Sequence, residues 1–187
     1  MLNLSSQLRA TNHTTLRMIS EMIHEVYNSR AYFDSAAHRR QTVKQLIKKA
    51  NLTLIGVHIR RGDFIGKVHL GFAVSSVSYI LRGLLYFSQK YPDSIFIIVS
   101  DDKLWCRTNI GNHLNTVVLP KTLLASEDMA MLTLCRDSLI TTGTFGWWAA
   151  TLASGVVLCD KSYPKNGTWL SNLCPIDQYF PPWFVGL

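Results

Sequence analysis

Two adjacent arginines, Arg60 and Arg61, come directly after the mostly apolar run Leu54–Ile59 and are followed by Gly62 and Asp63. Each guanidinium is planar, permanently charged and able to grip two oxygens at once, so the pair suits a pyrophosphate. Two further polar groups follow short β-branched runs: Ser100-Asp101-Asp102 with Trp105 close behind, and Thr142-Gly143-Thr144-Phe145-Gly146. A Gly-Thr-x-Gly turn that opens a helix offers an anion free backbone N–H groups, a hydroxyl and the positive end of the helix dipole.

Each of these residues also has a purely structural reading. Asp101 and Asp102 serve equally well as caps of a short helix. Being adjacent rather than spaced D-x-D, they make a poor divalent-metal pair, and no metal site is expected. Gly143 and Gly146 can be ordinary turn glycines, and His58, on an apolar run, a satisfied core histidine. Asp63 fits either a general base or an ion-pair partner that orients the arginines, with His69 a weaker base candidate. Arg61-Gly62-Asp63 also spells the integrin-binding tripeptide, but its place at a strand end gives no reason for that use.

The elements that must present these residues follow from periodicity. Strands are expected at Leu52–Ile59, Ile95–Ser100, Thr116–Leu119, Ser138–Thr142 and Val156–Cys159. Between them helices are expected over Val74–Lys90, shortly after Asp101, over Glu127–Cys135 and over Trp147–Ser154. Strands that alternate with helices and are apolar on both faces imply an α/β fold, a parallel Rossmann-like sheet with helices on both sides. Two amphipathic helices, Thr15–Tyr27 and Gln41–Ala50, precede it, so residues 1–51 are read as a helical segment and 52–187 as the sheet domain. The tail from Tyr163 holds Pro164, Pro175, Pro181 and Pro182 and is expected to wrap irregularly over the sheet. The dinucleotide fingerprint and the Walker A loop are both absent, so a nucleotide-binding sheet of this kind would have to hold its phosphates another way, with Arg60 and Arg61 supplying the charge.

The net charge is +7, and residues 1–51 carry 8 Lys and Arg against 3 acids. No nucleic-acid motif accompanies this basicity, and a solvated helix face is the simpler reading; binding of polyanions through the N-terminal helices is the alternative. Sequons at Asn3, Asn12, Asn51 and Asn166 suggest a secretory-pathway history, although this chain shows no signal peptide or membrane anchor. Cys106, Cys135, Cys159 and Cys174 lack zinc spacing. A Cys159–Cys174 disulfide and plain buried thiols are both open.

The segments His58-Ile59-Arg60-Arg61-Gly62-Asp63-Phe64, Ser100-Asp101-Asp102-Lys103-Leu104-Trp105-Cys106, Asp128-Met129-Ala130-Met131-Leu132 and Thr142-Gly143-Thr144-Phe145-Gly146-Trp147-Trp148 together resemble the α-1,2-fucosyltransferase family, the galactoside 2-L-fucosyltransferases. The resemblance is strong over residues 52–160. It implies the donor-binding half of a GT-B type glycosyltransferase that moves L-fucose from GDP-fucose to the 2-hydroxyl of a terminal galactose on a glycan, with inversion and without a metal or other cofactor. By position it implies Arg60 on the pyrophosphate, His58 near the nucleoside, Arg61 adding charge or orienting the loop, Asp128 on the guanine edge, and Thr144, Phe145 and Gly146 closing on the β-phosphate. Members of the family are anchored in the Golgi membrane and face its lumen. Only about fifty residues precede the first motif here, so an N-terminally shortened member is expected, and a GDP-sugar-binding fragment without activity is a further alternative.

Overall fold

The computed structural model describes residues 51–187 apart from 112, 114, 120 and 122, together with residues 45, 47 and 48. The helices expected over Thr15–Tyr27 and Gln41–Ala50 therefore lie largely outside the described residues, as do Asn3 and Asn12. Thr53–Leu187 forms one compact unit. Its strands are β1 (Thr53–Ile59), β2 (Ser94–Ser100), β3 (Thr116–Val118), β4 (Asp137–Ile140), β5 (Val157–Cys159) and β6 (Phe184–Gly186). All pair in parallel in the order β3-β2-β1-β4-β5-β6. This is the doubly wound Rossmann-like order, which reverses direction between β1 and β4 and opens a crevice at their carboxyl ends.

The helices are α1 (Val77–Lys90), α2 (Lys103–Asn109), α3 (Ala125–Leu134), α4 (Thr144–Ala153), α5 (Trp169–Leu173) and α6 (Ile176–Tyr179). The two-residue period of β1 divides its side chains between the helical layers. Ile55, Val57 and Ile59 join Tyr79, Ile80, Leu84 and Phe87 of α1 and Cys106 of α2 in the main core. Gly56 faces the other way, and a Cβ there would lie 3.1 Å from Leu132 of α3. His58 and Arg60 share the face of Gly56 and so emerge on the side of α3 and α4.

Two expectations are corrected. The tail is not wholly irregular, because Phe184–Gly186 adds a sixth parallel strand beside β5. Phe184 joins Phe180, Ile140, Val157 and Cys159 in a second core, and the apolar contact drives the pairing despite Pro181 and Pro182. After Arg61, Gly62–Leu70 forms a 3₁₀ segment broken at Lys67. Helix α4 also begins three residues before the expected Trp147, so Thr144, Phe145 and Gly146 form its first turn. All four cysteines are free thiols. Burial pushes the Cys135 thiol up to about 12 and Cys159 up to about 11, so both stay protonated and unreactive near neutrality.

Candidate functional site

The register of the parallel strands builds the site. Ile59 of β1 stands opposite Ser100 of β2, and His58 opposite Ile140 of β4. The next residues along each strand therefore meet: Arg60 and Arg61 from β1, Asp101 and Asp102 from β2, and Thr141 from β4. The Arg60 N–H donates to Thr141 Oγ1 at 2.8 Å, which fixes where the backbone leaves the sheet.

Both arginines are oriented by carboxylates. Arg60 contacts Asp63 Oδ1 at 2.6 Å and Asp101 Oδ2 at 3.1 Å, with its side chain about a third exposed. Arg61 donates its backbone N–H to Asp101 Oδ1 at 3.0 Å and its Nε to Asp102 Oδ2 at 3.4 Å. Its guanidinium lies 3.7 Å from the centroid of the Trp105 ring, a close cation–π stack. Asp102 doubles as the N-cap of α2, accepting from Trp105 N–H, and Ser100 Oγ in turn accepts from the Asp102 N–H. The cap reading and the ion-pair role are thus both realised in Asp102.

Asp63 also holds Lys67 at 3.1 Å. That hydrogen bond, with the Arg60 charge, holds its carboxyl below the usual carboxylate range, so Asp63 is a weak base placed to orient Arg60. His58 is 4% exposed, and burial lowers its pKa to about 4, with Asp101 raising it and Arg60 lowering it. The imidazole is neutral near pH 7, its Nδ1 has no hydrogen-bond partner, and its ring lies 5.2 Å from that of Phe145.

The first turn of α4 closes against this histidine. Gly143, its N-cap, has φ of +92°, a conformation that side chains rarely adopt, and no side chain caps the turn. At Gly146 a Cβ would collide with the His58 ring. Neither glycine is a generic turn residue: one sets the entry angle of α4 and the other lets its backbone touch His58. Thr144, the first residue of the helix, is exposed.

A cavity of about 450 Å³ opens beside these residues, lined by His58, Arg60, Ser100, Asp101, Phe145 and Asp128 among others. Arg61 and Trp105 are not among its lining residues; they stack together beside it. Asp128, on α3, is buried in the cavity wall and accepts from Lys103 Nζ at 2.9 and 3.3 Å. Burial raises its pKa, with Lys103 acting in the opposite direction. Reasoning from sequence missed Lys103. A lysine in the first turn of a short helix opposes the helix dipole, and this misplacement was the available signal. Among the described residues, no group of three or more His, Cys, Asp or Glu is gathered as for a metal ion, and no helix is long and apolar enough to cross a membrane. The sequon residues Asn51 and Asn166 both lie in exposed turns.

Residues 12–169 match the model of glycosyl transferase family 11. The chain is 34% identical over 139 residues to galactoside alpha-(1,2)-fucosyltransferase 2 of Mus musculus, an alignment that covers 70% of this chain and 40% of the relative. It is 30% identical over 166 residues to galactoside 2-alpha-L-fucosyltransferase SEC1 of Bos taurus, covering 83% and 45%. With galactoside alpha-(1,2)-fucosyltransferase 1 of Bos taurus the identity is 32% over 142 residues, covering 72% and 39%. The chain thus spans less than half the length of these relatives.

Proposed function

Because the chain belongs to glycosyl transferase family 11, we propose that its cavity binds GDP-fucose and that the chain serves transfer of L-fucose to the 2-hydroxyl of a terminal galactose on a glycan. The observation that carries this reading is the placement of Arg60 at the cavity wall, at the topological switch point of the sheet, beside the uncapped first turn of α4. In this reading the pyrophosphate lies between the Arg60 guanidinium and the N–H groups of α4, and the nucleoside extends along His58 toward Asp128.

Breaking the fucosyl C1–O bond leaves its electron pair on the β-phosphate. Fixed cations and amide dipoles aimed at that oxygen stabilise the transition state more than the ground state, because the charge grows as the bond breaks. Arg60, held by Asp63 and Asp101, is already oriented before the donor arrives. The proposed reaction inverts the anomeric carbon and uses no metal ion, with Arg60 and α4 supplying the positive charge. The acceptor hydroxyl gives up its proton as it attacks C1; Asp63 is the nearest carboxylate to Arg60, and its two ion pairs favour orientation over proton uptake. The site of action proposed for the whole protein is the Golgi lumen.

The deciding experiment titrates the chain with GDP-fucose, GDP-mannose and UDP-galactose by calorimetry, then assays transfer to galactose-terminated acceptors. Selective binding of the GDP-sugars with turnover only from GDP-fucose is expected. Equal affinity for UDP-galactose would overturn the assignment.

A further inference from the structure

The first turn of α4 is held from outside its own sequence. Gly143 offers no side chain to cap the helix, so the N–H groups that a Ser, Thr, Asp or Asn would bind stay open. Five buried side-chain polar atoms among the described residues find no hydrogen-bond partner, and two of them flank this turn: His58 Nδ1 lies against Gly146, and Tyr179 Oη faces Gly143. Tyr179 reaches the turn from α6, in the C-terminal segment. Trp147, at the end of the same turn, donates its Nε1–H to the Tyr179 carbonyl at 3.0 Å. The Tyr179 ring packs edge-on against Phe180 at 4.8 Å and Tyr163 at 5.4 Å, which fixes its direction. On the other side Thr142, fully buried, donates its hydroxyl to the Ala73 carbonyl at 3.1 Å and anchors the residue before Gly143. Burial pushes the Tyr179 phenol well above its ordinary pKa, with Tyr163 and Cys174 adding to this and the Gly143 N–H opposing it, so the hydroxyl is neutral at any working pH. The Gly143 N–H approaches the phenol oxygen without completing a hydrogen bond.

We propose that Tyr179 is a positioning residue of the donor site: its hydroxyl accepts from the Gly143 N–H and holds the first turn of α4 in the orientation in which its free amides meet a β-phosphate. The inference rests on the GDP-sugar reading above. In a capping box the N3 glutamate accepts from the N-cap N–H, while the N-cap side chain takes the N3 N–H. Tyr179 fills the place of that glutamate from a distant segment, and the N-cap side chain is missing, so the amides of Thr144, Phe145 and Gly146 are left for the ligand. A phenol suits this task better than a carboxylate, because it accepts the N–H without placing negative charge beside a phosphate. An anion at the free amides pulls their dipoles into line, and that alignment closes the loose contact between Gly143 and Tyr179. A Cβ at Gly143 would lie 3.8 Å from Arg60 Cγ, so a tilt of the turn also moves its amides relative to the Arg60 side chain.

The test measures GDP and GMP affinities by calorimetry, because only GDP carries the phosphate assigned to this turn. The wild-type chain is expected to prefer GDP by about tenfold or more, the value of a hydrogen bond to a charged acceptor. Tyr179→Phe deletes one oxygen and is expected to lower GDP affinity about fivefold, the value of one neutral hydrogen bond, while GMP affinity stays unchanged. It should unfold at or slightly above the wild-type temperature, because a buried hydroxyl with an incomplete hydrogen bond leaves with it. Hydrogen exchange on the wild-type chain gives a second measurement that needs no substitution: GDP should slow exchange of the Gly143 amide, and GMP should not. If Tyr179→Phe keeps the wild-type ratio, weakens GDP and GMP alike or fails to fold, or if GDP leaves the Gly143 amide unprotected, the role of Tyr179 is overturned. If the wild-type chain binds GDP no better than GMP, this turn does not hold the β-phosphate, and the inference falls while nucleotide binding stands. If it binds neither, the donor-site reading fails and this inference with it.

Discussion

Arg60 shares its guanidinium between Asp63 and Asp101, and a pyrophosphate entering the cavity must compete with both carboxylates. Arg60→Ala removes a preorganised cation, which typically costs about 2.7–4 kcal/mol of barrier, a hundred- to thousandfold in rate. Turnover should fall by that factor while thermal unfolding stays near wild type; near-normal turnover in the folded variant would sink the assignment. Asp63→Asn keeps an oxygen for Arg60 and removes a competing charge. GDP is therefore expected to bind several-fold more tightly and turnover to drop only about tenfold, with the acid limb of the pH profile in place. Loss of that limb, with turnover down by three orders of magnitude or so, would make Asp63 the base. His58 supplies a stability test. Its folded pKa, about 4, lies below the ordinary value of 6.5, so between these values the unfolded chain binds more protons and stability falls as pH falls. The loss approaches about 3 kcal/mol by pH 4. Denaturant titrations at pH 7 and pH 4.5 should show this slope in wild type and a shallower one in His58→Gln. An unchanged slope would assign the effect to another group.

At the scale of elements, the unbroken apolar runs that end in charged residues make much of the site legible in the sequence. β1 and β2 are unbroken buried runs, and parallel in-register pairing brings Arg60 beside Asp101 without further information. Three features were hidden for physical reasons. The 3₁₀ segment Gly62–Leu70 has no 3.6-residue period to betray it, and β6 is a three-residue strand behind two prolines whose pairing depends on the distant core around Phe180. Trp105 has no sequence pattern that distinguishes a base-stacking ring from one lying under Arg61, where the structure places it. Its function as a support predicts that Trp105→Leu weakens donor binding by freeing the arginine loop. The cost is about 0.5–2 kcal/mol, and Trp105→Phe should recover part of it. Gly146→Ala acts on the opposite wall, driving α4 away from His58. Overpacking of this kind costs about 1–3 kcal/mol. It should appear as lost GDP affinity together with a lower melting temperature; wild-type affinity in Gly146→Ala would mean that α4 is not part of the donor site.

For the molecule as a whole, the residues assigned to the donor all fall within the single compact unit Thr53–Leu187, although the chain spans less than half the length of its relatives. Donor binding and glycosyl transfer are therefore separable measurements on this chain, and every contact proposed for the donor lies within that unit. A ligand at a hundred times its Kd stabilises a folded protein by about 2.7 kcal/mol. In a chain of this size each kcal/mol raises the melting temperature by about 2–4 °C. Saturating GDP should then raise it by roughly 5–10 °C, while UDP at the same concentration leaves it unmoved. The shift should survive EDTA, because Arg60 and the amides of α4 are proposed to carry the charge that a metal would otherwise supply. A shift that collapses on chelation and returns with Mg²⁺ or Mn²⁺ would show that a cation bridges the pyrophosphate, and the metal-free proposal would fall while GDP binding stood. Persistence of the shift without transfer to any galactose-terminated acceptor would instead favour a chain that binds the donor and does not turn it over.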